Sequence, residues 1–246
     1  MKLRTIAALS STLLVSSAYA ADVEVYLEQN ISSNATDHGV YTTEAGAKIN
    51  TSENGYVTVQ FDDQGWLAAG YGHRFGITEQ ASFTLYGELG KWDEAKEILV
   101  EAIFDYQVNE NINVFAGYGF SQIEQTSGLM GGDDIDSHKF IAGAHMTFHG
   151  FDLNYEYTHT NTDGNNGYIH GPGNSFWYMT ESFRANEHEV ILSKKIGDWR
   201  PYLKYTYFNT SEGNLGYGYG QGIGDSNEFA PIDNDHVWTL GVSYTF

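Results

Sequence analysis

HVWTLGVSYTF, residues 236–246, is the stretch that decides the fold. Trp238, Leu240, Val242, Tyr244 and Phe246 share one face of an extended chain, and Thr239, Gly241, Ser243 and Thr245 share the other. Side chains alternate between the two faces of a β-strand. This is therefore a strand with one apolar, aromatic face and one small, polar face, and no turn residues interrupt it.

The same period runs back through the chain. Val57, Val59 and Phe61 oppose Thr58 and Gln60. Leu67, Ala69, Tyr71 and Phe75 oppose Ala68, Gly70, Gly72 and Arg74. Ile98, Val100, Ala102, Phe104 and Tyr106 oppose Glu101 and Asp105. Phe151, Leu153, Tyr155 and Tyr157 oppose Asp152, Asn154, Glu156 and Thr158. In all, about 12 strands of roughly ten residues are expected, the length that a tilted membrane-crossing strand needs. Short turns (51–55, 76–80, 109–111, 149–150, 197–198) alternate with longer polar connectors (32–39, 90–96, 124–137, 161–186, 209–235). An even strand number with that rhythm predicts an all-β, transmembrane, antiparallel up-and-down barrel, its short turns periplasmic and its long loops outside. Asp62 to Gly65 is the exception, a short turn that falls on the outer side.

The N-terminus suits an exported chain. Lys2 and Arg4 precede an apolar run from Ile6 to Val15 and an A-x-A site at Ala18–Ala20, which predicts a cleaved signal peptide over 1–20 and one barrel domain over 21–246. The chain has no Cys, 18 Tyr, 14 Phe, 28 Gly and a formal charge of −20. Without a basic stripe, nucleic-acid binding is excluded. A mean hydropathy of −0.38 does not count against a membrane, because only every second residue of a barrel strand meets lipid. Placement in the bacterial outer membrane follows, with its lipid and lipopolysaccharide as surroundings.

The terminal Val242, Tyr244 and Phe246 resemble the signal by which the barrel-assembly machinery recognises its clients, so Tyr244 and Phe246 are the candidate assembly residues. Further resemblance lies over 186–246, in Glu187 to Lys194, in Asp198, Trp199, Arg200, Pro201, Tyr202 and Lys204, and in the Gly241 to Phe246 ending. Asn154, Tyr155, Glu156 and Tyr157 match more weakly. Over this C-terminal quarter the chain resembles the small monomeric oligogalacturonate-specific porins. The resemblance implies a 12-stranded monomer whose lumen carries rows of basic residues that pass acidic sugars.

The residues depart from that implication. The inward phase carries Glu24, Glu28, Glu44, Glu88, Glu101, Asp105, Asp152 and Glu156, against Lys48, Arg74, Lys139, Arg200 and Lys204. These are the candidate pore-lining residues. They predict a narrow, acidic, weakly cation-preferring channel for small polar solutes, oligosaccharides among them, with the basic residues of the eleventh strand facing an acidic wall across the pore. The alternative is a non-conducting barrel with a structural or loop-mediated binding role. Tyr168, Phe176, Trp177 and Tyr178, with Leu215, Tyr217 and Tyr219, give the two longest loops the composition of a packed lid. No catalytic residue, metal or cofactor is expected. The nine His show no metal-binding spacing, and Ser121 and His145 are the nearest approach to a catalytic pair. Gly131 to Asp136 is acidic but lacks the full Ca²⁺-loop pattern.

Overall fold

The computed structural model describes residues 22–33, 41–92, 95–125, 134–165, 167–210, 213–219 and 228–246. The signal peptide expected over 1–20 and the Gly131–Asp133 part of the acidic loop lie outside them. Sixteen strands run through the described residues: β1 (Val23–Ser32), β2 (Tyr41–Asn50), β3 (Gly55–Asp62), β4 (Leu67–Gly76), β5 (Ala81–Trp92), β6 (Ala95–Asn109), β7 (Ile112–Gln125), β8 (Ile135–Phe148), β9 (Phe151–Asp163), β10 (Gly167–Gly171), β11 (Ser175–Met179), β12 (Phe183–Lys194), β13 (Trp199–Thr210), β14 (Leu215–Tyr219), β15 (Glu228–Pro231) and β16 (Asn234–Thr245). Twelve of them close a barrel, in which each pairs with its chain neighbour except where β10–β11 and β14–β15 intervene.

Closure falls on the C-terminal strand. β16 pairs antiparallel with β13 on one side and with β1 on the other, Val25 opposite Tyr244 and Leu27 opposite Val242. No barrel strand is left with an open edge, so every strand finds backbone partners without water, as a bilayer requires. The outward phase is apolar: Leu89 is 65% and Leu240 is 70% exposed, and Leu27, Leu67, Phe104 and Phe140 stand out likewise. Such a continuous apolar exterior belongs in lipid.

The first and last barrel residues meet at one end, the terminal end, where the Phe246 amide donates to the Val23 carbonyl and the turns are short. The β8–β9 hairpin turns on His149 and Gly150, both at positive φ (48° and 76°), the two-residue geometry that follows strand twist. The opposite end, the loop end, holds the long connectors, and two expectations change there. Residues 90–92 and 95–96 are strand rather than loop: β5 runs to Trp92 and β6 begins at Ala95, with Lys91 opposite Lys96. Over their described residues the two longest connectors are not wholly irregular either. They form a second sheet, in the order β10-β11-β14-β15. Alternation is what reveals strands in sequence, and these are four- and five-residue strands too short to display it.

Candidate functional site: a lumen closed at one end

The inward phase changes character with depth. Towards the terminal end it encloses a cavity of about 530 Å³, lined by Glu24, Tyr26, Glu28, Glu44, Lys48, Tyr86, Asp152, Arg200, Tyr202 and Lys204 among others. A second cavity of about 380 Å³ lies against Lys48, Arg74 and Asp105 beside the β2–β3 turn. Of the remaining candidates, Glu101, Lys139 and Glu156 line a third of about 190 Å³ nearer the loop end. Glu88 accepts hydrogen bonds from the Tyr86 hydroxyl at 2.5 Å and the Gln60 amide at 3.3 Å.

Glycines and tyrosines shape the 530 Å³ and 380 Å³ cavities. Tyr26 lies across Gly46, Tyr56 across Gly72 and Tyr202 across Gly241, each ring over its register partner on the next strand. A methyl added at Gly46 or Gly241 would come within 2.5 Å or 2.2 Å of the ring above it. Lying flat, each phenol reaches sideways along the wall. Tyr26 donates to Glu44 at 2.6 Å and Tyr202 to Glu28 at 2.7 Å. These tyrosines fall on the polar phase of the sequence. A Tyr on that phase opposite a Gly is the signal that marks them as lumen residues.

The charges do not face each other across the pore as expected. Lys204 donates to Glu28 at 3.0 Å, reaching over the small β16 positions between β13 and β1. This ion pair runs along one wall, because Thr239 and Gly241 leave room for it. Arg74 instead donates to Ser82 at 2.8 Å, and Asp105 accepts from Asn113 at 3.2 Å. Lys48 rests over the Tyr56 ring at 4.3 Å. Asp152 accepts from Thr147 at 2.9 Å. Inward acids that the candidate residues left out include Glu97 and Glu187, beside the third cavity, and Glu189, which shares the face of Glu187 and stands opposite Glu156.

At the loop end the inward face turns apolar. Trp66, Trp92, Ala95, Ile123, Ile135, Phe183, Ala185 and Phe208 come from the wall, and Ile169, Trp177, Met179, Leu215 and Ile232 from the loops, to form one buried cluster. Trp177 is fully buried and meets Phe208 edge-on at 4.7 Å. The short turn expected at Asp62 to Gly65 leads into Trp66: Asp62 accepts from the Gln64 and Trp66 amides at 2.9 and 2.8 Å, turning the indole inward over Gly90. His170 of β10 sits between Trp66 (4.0 Å) and Trp92 (5.0 Å) and bonds the inward Glu97 at 2.9 Å. Beyond it, the turn at Pro172–Asn174 crosses to the far wall, where Thr42 donates to the Gly173 carbonyl. Gly173 has φ +63°, and a side chain there would strike Val237 and Asn30. The loop thus spans the barrel from β6 to β2. A lid is legible in the aromatic loops, but its descent into the barrel is not.

Ser121 and His145 do not meet. Ser121 is buried beside the 190 Å³ cavity and His145 lines the 530 Å³ one, towards opposite ends of the β7–β8 ladder. Among the described residues no group of three or more His, Asp or Glu is arranged to hold a metal ion.

No protein-family model matches the chain, and no curated protein matches it in sequence. Solved structures match it in shape. The NanC porin aligns with a TM-score of 0.64 at 11% identity, over 90% of this chain and 100% of that one. The KdgM porin, solved in complex with disordered oligogalacturonate, aligns at 0.58 and 11% identity, over 91% and 99%. The translocator domain of the autotransporter NalP from Neisseria meningitidis aligns at 0.50 and 13% identity, over 99% and 94%. At these identities the likeness is one of fold: this chain is a closed, 12-stranded, antiparallel transmembrane barrel of the kind that outer-membrane proteins adopt.

Proposed function

We propose that this protein is a bacterial outer-membrane porin whose loop end is closed by its own loops, and whose acid-rich lumen passes small polar solutes, cations ahead of anions. One observation carries the reading. A 12-stranded wall encloses charged, polar cavities, and a loop rather than the wall closes the far end. Eight-stranded barrels are filled by their own side chains, whereas a wider wall leaves an aqueous path. Here the occupying residues belong to a connector joined to the wall by side-chain contacts, so its withdrawal opens the path. The lumen carboxylates outnumber the ammonium and guanidinium groups beside them, which favours cations. The tyrosine rings give sugar faces something to stack on. KdgM was solved with an acidic oligosaccharide, and this wall is unsuited to one as charged.

Planar-bilayer recording of the refolded protein is the test. The full chain should conduct in small, intermittent steps and show cation-selective reversal potentials in a KCl gradient. Clear anion preference would overturn the lumen assignment. The plug also favours a second reading, a non-conducting barrel whose loops bind a partner at the cell surface. A chain with residues 167–179 replaced by a short Gly-Ser linker separates the two: if that folded barrel does not conduct, the second reading stands.

A further inference from the structure

The outer wall over β9, β12, β13 and β16 can be read row by row from the strand register. Leu153, Leu192, Leu203 and Leu240 stand side by side in one row. Two residues nearer the loop end the row is Tyr155, Val190, Tyr205 and Trp238. The next is Tyr157, His188, Tyr207 and His236, and the next His159, Asn186, Asn209 and Asn234. Asn161 and Arg184 follow. Hydrocarbon side chains thus give way to aromatic rings, then imidazoles, then amides, then a guanidinium. That is the order of environments from acyl chain to headgroup.

The polar rows are tied together. Asn186 Oδ1 accepts from the Tyr157 hydroxyl at 2.7 Å and from His159 Nδ1 at 2.9 Å, and its Nδ2 donates to Asn209 at 3.1 Å. The Tyr155 hydroxyl meets His188 Nδ1 at 2.9 Å, and the Tyr205 hydroxyl meets His236 Nδ1 at 2.7 Å. A phenol that donates to Nδ1 leaves the neutral ring's proton on Nε2. His188 and His236 then present N–H donors away from the wall without needing to be charged. Arg184 is exposed and makes no ion pair among the described residues. In a chain of charge −20 this patch is rich in donors, and exposed acids, Asp163 and Glu181, stand only at its rim.

We propose that this face binds the phosphorylated glycolipid headgroup of the outer leaflet. Arg184 takes the phosphate, the imidazole N–H groups of His188 and His236 reach the phosphate or sugar oxygens, and the tyrosine rings lie at the acyl boundary. An Arg fork matches phosphate geometry, and imidazole and amide donors suit a phosphosugar. The inference rests on outer-membrane placement but not on conduction.

The test is native mass spectrometry of the detergent-purified, refolded barrel with three probes: lipid A carrying its phosphates, lipid A with them removed, and phosphatidylglycerol. Wild type should retain phosphorylated lipid A about tenfold better than either other probe, a margin of one or two charge-assisted hydrogen bonds. Arg184→Gln with His188→Gln and His236→Gln should lose that margin while keeping its heat-modifiable gel mobility and its conductance. Tyr155→Phe with Tyr205→Phe, which frees the imidazole tautomer, should lose part of it. Equal retention of dephosphorylated lipid A, equal retention of phosphatidylglycerol, or an unchanged triple variant would overturn the proposal. A change of conductance without a change of lipid retention would also count against it.

Discussion

The two halves of the barrel interior follow one backbone rule and opposite chemistry. In the half nearer the termini, inward positions are glycines, tyrosines and charged groups, and they enclose about 530 Å³ of space. In the half nearer the loops, inward positions of the same strands are Trp92, Ala95, Ile123, Ile135, Phe183, Ala185 and Phe208, and they enclose a loop. The β-wall does not distinguish the halves; both are closed by the same ladders. The difference shows that an inward face is fitted to its contents. Water needs hydrogen-bonding groups, and a loop carrying Trp177, Met179 and Ile169 needs an apolar seat.

The largest effect should come from emptying the seat. Trp177→Ala removes a fully buried indole from the cluster, a loss of about 3–5 kcal/mol. The loss is borne by the docked loop and not by the barrel ladders. At about 1.4 kcal/mol per tenfold, the balance between docked and undocked loop should move by about two to three and a half orders of magnitude. Open-channel time in bilayer recordings should rise steeply while the barrel's thermal mobility shift stays in place. If open time were unchanged, the two halves would be equally impermeable and the comparison would fail.

A smaller step in the same direction is expected at the polar contact inside the apolar half. His170→Ala removes the bond to Glu97 and leaves that carboxylate without the ring that sat between two indoles. A hydrogen bond to a charged group contributes about 1.5–3 kcal/mol, so open time should rise by roughly one to two orders of magnitude. His170→Gln, which retains a donor, should recover part of the closure. If His170→Leu closed the channel as well as the wild type does, apolar packing alone would hold the loop.

Sequence made the wall legible and the interior only half so. Period-2 alternation reports which face a residue takes, and the wall of β16 was readable from Trp238 to Phe246 for that reason. It does not report depth. Phe183 and Phe208 read as interruptions of the polar phase, and only the neighbours that register brings beside them reveal a continuous apolar collar. The loop sheet was illegible because β10, β11, β14 and β15 are too short to alternate, and because β11 meets β14 far along the chain, Tyr178 opposite Gly216 and Met179 opposite Leu215. Charge was legible as composition but not as pairing. Lys204 and Glu28 are 176 residues apart, and their contact depends on barrel closure placing small residues of β16 between them.

The smallest effect should come from that pair, and it tests the polar half. Lys204 and Glu28 side chains are 18% and 10% exposed, so their charges act on the cavity more than on bulk solvent. Lys204→Met keeps the length of the side chain and removes its charge. Glu28 keeps the Tyr202 hydroxyl at 2.7 Å and loses its cation. An uncompensated carboxylate beside a water-filled passage should favour a permeating cation by about 1 kcal/mol, roughly fivefold in the cation-to-anion permeability ratio. Glu28→Gln should shift the ratio the other way. Reversal potentials measured on the loop-replaced barrel, where the plug no longer limits current, read both changes directly. Opposite shifts would place the selectivity of the pore at this wall. Equal ratios in the two variants would move it to the terminal mouth, where Glu24, Lys48 and Arg200 line the same cavity.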